Sequence, residues 1–381
     1  TKNVTIERRK MKISIIGRGN AGCISAMFFS HRRNFVNTKV EIELLYDSNI
    51  PPVPTGQGTT LDFPGLLFDS FNSNYMDKFP TTVKTGIMYE NFGSKQNKIF
   101  HHFPVGRYSL HFNPKQFQDF VCSNLKIDFA EVDENIQDYD QIDSDYIIDC
   151  RGTPKDFSKY DTLTNPLNCA LLGFLPKKEN DVKYTRSIAH KNGWCFYIPL
   201  PDKTSLGYIF NNNITSVEDA KKDFAESFGV EKVNRVFPFS QYVVKQPVIN
   251  NRVFLNGNRL FFLEPLEATA MGAYITSNKL YFDYIFNNMS KAEVILNVKD
   301  YITKVQDFIL WHYSTGSIYD TLFWKHAKDI WDKHDKVNIE KTIKIVKGMS
   351  NLDVEKSRSN SRIPYAQWQE WNFDNWIKGT I

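Results

Sequence analysis

Lys12-Ile13-Ser14-Ile15-Ile16-Gly17-Arg18-Gly19-Asn20-Ala21-Gly22 decides the fold. Lys12–Ile16 is a short, mostly apolar run that stops at a glycine, the pattern of a buried parallel strand. Beyond the glycines, Ala21, Ile24, Ser25 and Phe28 recur at helical spacing, and the helix runs out in the basic cluster His31-Arg32-Arg33. Val40–Tyr46 reads as a second strand and ends at Asp47. Strand, glycine turn, helix, strand and acid make the βαβ unit of dinucleotide binding. In this unit Gly17 permits a tight turn, Gly19 a close approach to a pyrophosphate, and Gly22 close helix–strand packing. The amides of Asn20 and Ala21 open the helix toward the phosphates, and Asp47 is placed to accept from ribose hydroxyls. The competing reading is a glycine turn that serves packing alone.

The rest of the chain sets the limits. At 381 residues it can bury a large core in one or two domains. A net charge of +4, spread along the sequence, argues against nucleic acid as the main partner. Five cysteines without paired spacing point to a reduced, cytoplasmic setting with neither a disulfide framework nor a metal site. No apolar run reaches membrane-spanning length and no signal pattern opens the chain. Residues 1–10 are polar, precede Met11, and stay outside the fold reading.

Residues 50–65, rich in Pro, Gly and Thr, read as a loop, Thr82–Tyr89 as a strand, and Lys115–Leu125 as a helix behind Pro114. Tyr146–Asp149 is a further short strand, stopped by Arg151-Gly152. Ser187–Phe210 reads as strand, turn, strand about Pro201-Asp202, and Val253–Leu263 as β. After Met271 the pattern is helical to about residue 349. Residues 350–362 are polar and linker-like, and Pro364–Trp376 carries Trp368, Trp371 and Trp376.

Asp149-Cys150-Arg151-Gly152 resembles the second nucleotide-contacting segment of FAD monooxygenases and their relatives, which favours FAD and adds Asp149 and Gly152 to its contacts. A plain strand–turn is the equal alternative. Five further segments, in order along the chain, resemble the flavin-dependent tryptophan halogenases. They are Ser48–Thr59, with Gly56 in the flavin loop; Val83-Lys84-Thr85-Gly86 through Phe92; Gly193-Trp194-Cys195-Phe196-Tyr197-Ile198-Pro199; Glu264-Pro265-Leu266-Glu267-Ala268-Thr269; and Asp307 through His312-Tyr313 to Phe323-Trp324. The third matches a Trp-x-Trp-x-Ile-Pro motif with Phe196 in place of the second tryptophan.

The resemblance implies an α/β fold: an FAD-binding Rossmann-like domain of the aromatic hydroxylase type with an inserted mixed β-sheet and C-terminal helices. It implies a flavin domain over 11–300, with substrate-region insertions at about 61–99 and 171–244, and a helical region over 301–381 that completes the substrate site. Reduced FAD and oxygen would oxidise chloride, bromide or iodide to hypohalous acid. Lys84 would hold that species, and Glu267 would be the base beside a small electron-rich aromatic such as an indole or phenol. Trp194, Ile198 and Pro199 would lie along the flavin, and Thr269 and Ala270 at the halide. A separate flavin reductase is the implied partner, and a homo-oligomer is left open. FAD-dependent monooxygenation and non-catalytic flavin binding are the alternatives. Taken singly the residues read otherwise: a strand lysine is most often a solvated edge position, Glu267 a helix N-terminal acid, His312 a packed helix histidine, and Trp194 and Phe196 the core of a sandwiched strand.

Overall fold

The computed structural model describes residues 10–132, 138–350 and 368–380. A six-stranded sheet holds the nucleotide unit, in the order Val248–Ile249, Val253–Leu255, Tyr146–Asp149, Met11–Ile16, Val40–Tyr46, Asp128–Glu131. All of its pairings are parallel except the Val248–Ile249 edge. Met11–Ile16 lies at the centre, flanked by Val40–Tyr46 and Tyr146–Asp149, and its last four residues are buried. Helix Asn20–Arg32 follows and packs on helix Thr269–Phe286, so the first and last thirds of the chain share one apolar core running from Ile13 to Trp376.

The insertions build a seven-stranded sheet in the order Val233–Pro238, Cys169–Pro176, Lys203–Phe210, Gly193–Pro199, Thr185–His190, Gly86–Glu90, Lys98–His102. It is mixed, since Thr185–His190 runs parallel to Gly86–Glu90 and the other pairs are antiparallel. Gly193–Pro199 is buried along its whole length because it serves two cores. Trp194, Phe196 and Ile198 face the main core, while Cys195 and Tyr197 face a smaller one beneath helix Val217–Phe228. That helix is fixed at both ends: Ser216 accepts from the Asp219 amide at 3.1 Å, and Gly229 closes it in the left-handed region.

Two readings of the strands change. Thr82–Tyr89 is two strands, Thr81–Lys84 and Gly86–Glu90, in different sheets. The first pairs with Ser109–Phe112, which also pairs with Gln57–Gly58; the second joins the large sheet. Gly86 allows the switch, because a Cβ there would stand 2.3 Å from the His101 carbonyl oxygen. Ser187–Phe210 holds three strands instead of two, with an additional turn at Lys191-Asn192.

The helical stretch after Met271 is interrupted. Helices Thr269–Phe286, Lys291–Trp311, Leu322–Lys333 and Val337–Lys347 are separate, and Ser290 and Glu293 form a capping box at the second. Helix Lys291–Trp311 runs without a break through residue 301, where the helical region was expected to begin. Of the linker-like residues 350–362, those from 351 on lie outside the described residues, as do 364–367. Among the described residues no helix is long and apolar enough to cross a membrane.

Candidate active site

The glycine turn places its three residues as their positions require. Gly17 has φ +96°, and a Cβ there would stand 3.0 Å from the Cys150 carbonyl oxygen. A Cβ on Gly22 would lie 1.7 Å from the Gly17 carbonyl oxygen, so turn and helix touch backbone to backbone. Gly19 faces open space and caps the helix without a side-chain hydrogen bond, and a Cβ on Gly152 would also meet nothing. Beside this opening the side-chain oxygen of Asn20 is buried with no partner among the described residues. Open amides, an orphaned polar atom and two uncrowded glycines fit a bound dinucleotide. Asp47 stands half-buried at the end of its strand and accepts from the Asn49 amide at 2.8 Å.

Asp149, expected along the cofactor, has its carboxylate engaged within the protein. It is fully buried and accepts from the Tyr139 hydroxyl at 2.7 Å and from the Arg151 amide and guanidinium, with Arg259 at 3.6 Å. Burial alone would raise its pKa, but the two arginines and Tyr139 overcome that and hold it below the usual range. Its role in this arrangement is to orient Arg151. Gly56 likewise has a packing reason of its own: its amide donates to Ser205 at 2.8 Å, and a Cβ would press on Ser205 and Ile198. The loop after the second strand is thereby pinned to strand Lys203–Phe210 opposite Ile198, and the carbonyl of the neighbouring Pro199 accepts from Thr82 at 2.6 Å.

Lys84 lies on an edge strand of its sheet but is not solvated. It is 1% exposed, its ammonium donates to the Thr59 carbonyl at 3.2 Å, and it lies over the Phe103 ring at 5.5 Å. Burial lowers its pKa to about 8, and the negative charge of Glu267 draws it back upward, so the two expected catalytic groups meet electrostatically although 183 positions separate them. The pocket also holds His111, fully buried between Thr82 at 3.3 Å and Thr185 at 2.8 Å, with its pKa pushed well below normal by burial and by Lys84. Nothing in the local pattern around His111 signals this position; only the pairing of Thr81–Lys84 with Ser109–Phe112 does.

Glu267 sits in a short turn, buried, with φ +69°, followed by Ala268 at +55°. Two consecutive left-handed residues that are not glycine are strained, and the tertiary contacts must hold them. Those contacts are the Trp368 indole N–H at 3.0 Å and His312 Nε2 at 3.5 Å; the other ring nitrogen of His312 lies 2.8 Å from the Phe308 carbonyl. Thr269 then opens helix Thr269–Phe286, with Ala270 behind it. The Thr269 hydroxyl is buried without a partner among the described residues, at a helix start that no side chain caps. This is the geometry of an anion site, an orphaned donor beside open amides.

Glu264 and His101 emerge, which the sequence left without a role. Glu264 is fully buried and accepts from Trp194 Nε1 at 3.0 Å, the Tyr313 hydroxyl at 2.8 Å and Asn165 at 2.8 Å; burial raises its pKa to about 6. Trp194 is therefore anchored by its N–H, while the Phe196 ring packs against Gly207, where a Cβ would come within 2.2 Å of it. His101 packs edge-on against Trp368 at 4.6 Å and against Phe103 at 5.9 Å, so Phe103, His101 and Trp368 form a row of rings running from beside Lys84 to the Glu267 carboxylate. A surface cavity of about 430 Å³, lined by His31, Arg32, Asp62, Arg107 and Lys279, includes neither Lys84 nor Glu267.

A tryptophan halogenase family model matches residues 12–139 and 130–378. Tryptophan 7-halogenase KtzQ of Kutzneria sp. (strain 744) is 26% identical over 272 residues, 59% of this chain and 49% of that protein. Tryptophan 7-halogenase RebH of Lentzea aerocolonigenes is 25% identical over 156 residues, 39% of this chain and 29% of that protein. The aligned stretches thus span about half or less of the curated relatives' length. Among solved structures, MibH, a lanthipeptide tryptophan 5-halogenase, superposes with a TM-score of 0.81 at 16% identity, over 99% of this chain and 86% of that one. A tryptophan halogenase from Shewanella frigidimarina does so at 0.77 and 17%, over 97% and 88%. With the family model matched over most of its length, the chain belongs to the tryptophan halogenase family.

Proposed function

We propose that this protein is a flavin-dependent halogenase acting on a small electron-rich aromatic, an indole or phenol, with a separate flavin reductase as its partner. The observation that carries the reading is the buried ammonium of Lys84, oriented by Thr59 and coupled to Glu267. Bound reduced FAD with oxygen would supply the two-electron oxidation of halide to hypohalous acid. Gly17, Gly19, Asn20, Ala21, Gly22, Asp47 and Gly152 would hold the dinucleotide, and Thr269 with the amides around Ala270 the halide. The Trp194–Pro199 strand, buried and packed throughout, would stand as a wall between the two halves of the reaction.

Lys84 donates a hydrogen bond to the neutral hypohalous acid, fixing its position and drawing electron density from the halogen. In a dry pocket a directed ammonium is worth far more than in water. Glu267 stabilises the cationic ring and takes the proton that restores aromaticity. The relatives are named for tryptophan, which places an indole first among the aromatics to test. The second reading, monooxygenation, is favoured by Phe196, where the family motif has tryptophan in the wall. Incubation with reduced FAD, oxygen, each halide in turn and a panel of indoles and phenols, read by mass spectrometry, decides between them. A halogenated ring is expected; an oxygenated product formed without halide would replace the reading.

A further inference from the structure

Trp368 occupies the position that an acceptor ring needs. Its indole is 1% exposed, and its N–H donates to Glu267 Oε2 at 3.0 Å. The ring stands edge-on to His101 at 4.6 Å and to Phe308 at 5.3 Å, with Phe373 at 5.1 Å behind it. The same Glu267 carboxylate acts on the Lys84 ammonium. Trp368 therefore meets the carboxylate of the Lys84–Glu267 pair with the most electron-rich ring among the natural side chains. A carboxylate accepting the indole N–H raises the electron density of that ring and opposes the positive charge an electrophile would leave on it. Trp311 and Trp376 pack against Trp368 at 5.6 and 6.0 Å without an indole hydrogen bond to Glu267, and the N–H groups of Trp194, Trp324 and Trp371 go to Glu264, the His190 carbonyl and Gln369.

We infer that Trp368 is an acceptor held in cis, and that in the absence of an external aromatic the enzyme halogenates its own Trp368. In the step, the oxygen–halogen bond of hypohalous acid breaks with its electron pair going to oxygen. A carbon–halogen bond forms on the indole, and the displaced ring proton joins the released hydroxide as water. The oxidant is the hypohalous acid of the proposed activity, so the inference rests on that reading. It also makes Trp368 a competitor of external substrate, because any ring that is to reach Glu267 displaces an indole already hydrogen-bonded there.

The test uses the full chain with reduced FAD, oxygen and bromide, with and without indole as the external probe. Peptide mass spectrometry follows Trp368, Trp371 and Trp376, and chromatography follows the probe. Without indole, a bromine-for-hydrogen exchange at Trp368, with the isotope doublet of a single bromine, is expected. It should decline as indole is added and disappear in Lys84→Ala. Trp371 is the more exposed ring and the one that free hypobromous acid in solution would reach first. Bromination of Trp371 ahead of Trp368, or labelling of Trp368 that survives in Lys84→Ala, would therefore mean undirected scavenging and overturn the inference. Brominated indole in the arm with the probe, beside a Trp368 that stays unmodified in the arm without it, would overturn the inference while leaving the halogenase reading intact. No bromination of either ring would overturn both.

Discussion

Around Gly17–Gly22 each requirement is met by backbone a few residues away, or one strand over at Cys150. Around Lys84 the contacts come from Thr59, Phe103, His111 and Glu267, and Glu267 is in turn held by His312 and Trp368. The first site is a property of local geometry, and the fold cannot form without it. The second is a convergence of distant side chains laid on a finished fold. One should therefore break with the structure, and the other should break without it.

Gly22→Ala presses on the first half hardest. A Cβ at 1.7 Å from a backbone oxygen cannot be relieved by a side-chain rotation, so a loss on the order of 3–5 kcal/mol and failure to bind FAD are expected, read by thermal unfolding and flavin titration. Lys84→Met tests the other half. Halogenation should fall about 10²–10³-fold or more with FAD binding unchanged. Because burial depresses the lysine pKa, its ammonium costs stability at pH 7, so the variant should unfold no lower than the parent. A variant that lost its fold together with its activity would erase the distinction between the two sites.

The pH profile sharpens it further. With a folded pKa of about 8, Lys84 loses its ammonium about tenfold per pH unit above that point, and the rate should fall on the same limb. Stability should move the opposite way, rising between pH 8 and the ordinary lysine value as the buried charge is relieved. A rate that stays flat to pH 10 would mean the neutral amine acts. Trp194→Phe is the mildest change. It removes one donor from the buried Glu264 carboxylate, and about 1–3 kcal/mol of stability should go with it, while Lys84 chemistry persists.

This difference also explains what the sequence made legible. Met11–Ile16, its glycines and Val40–Tyr46 could be read directly because period, turn chemistry and burial agree within one βαβ unit. The break at Thr85 could not, since the reason for it lies at His101, the carbonyl that Gly86 must pass. Lys84 looked exposed because a strand pattern cannot show that Thr59 and Glu267 will meet its ammonium. Asp149 was expected at the cofactor from the resemblance of its segment to FAD monooxygenases, and that segment could not show that Arg151, Tyr139 and Arg259 gather on its carboxylate. Glu267 and Thr269 were visible through the family segment, whereas the left-handed backbone that aims Glu267 was not.

The change of sheets at Thr85 constrains how such a chain can vary. Thr85 is tied to Lys183 through both its amide, at 2.7 Å, and its hydroxyl, at 2.9 Å, and its carbonyl receives the Phe103 amide. Strand residues alternate between faces, so one residue inserted or deleted on either side of this joint would turn Lys84 away from Thr59 or put Gly86 out of step with His101. Surface loops of the molecule can lengthen and shorten over generations. The count from Thr81 to Glu90 is fixed by two ladders at once, and drift in this segment is confined to exchanging side chains.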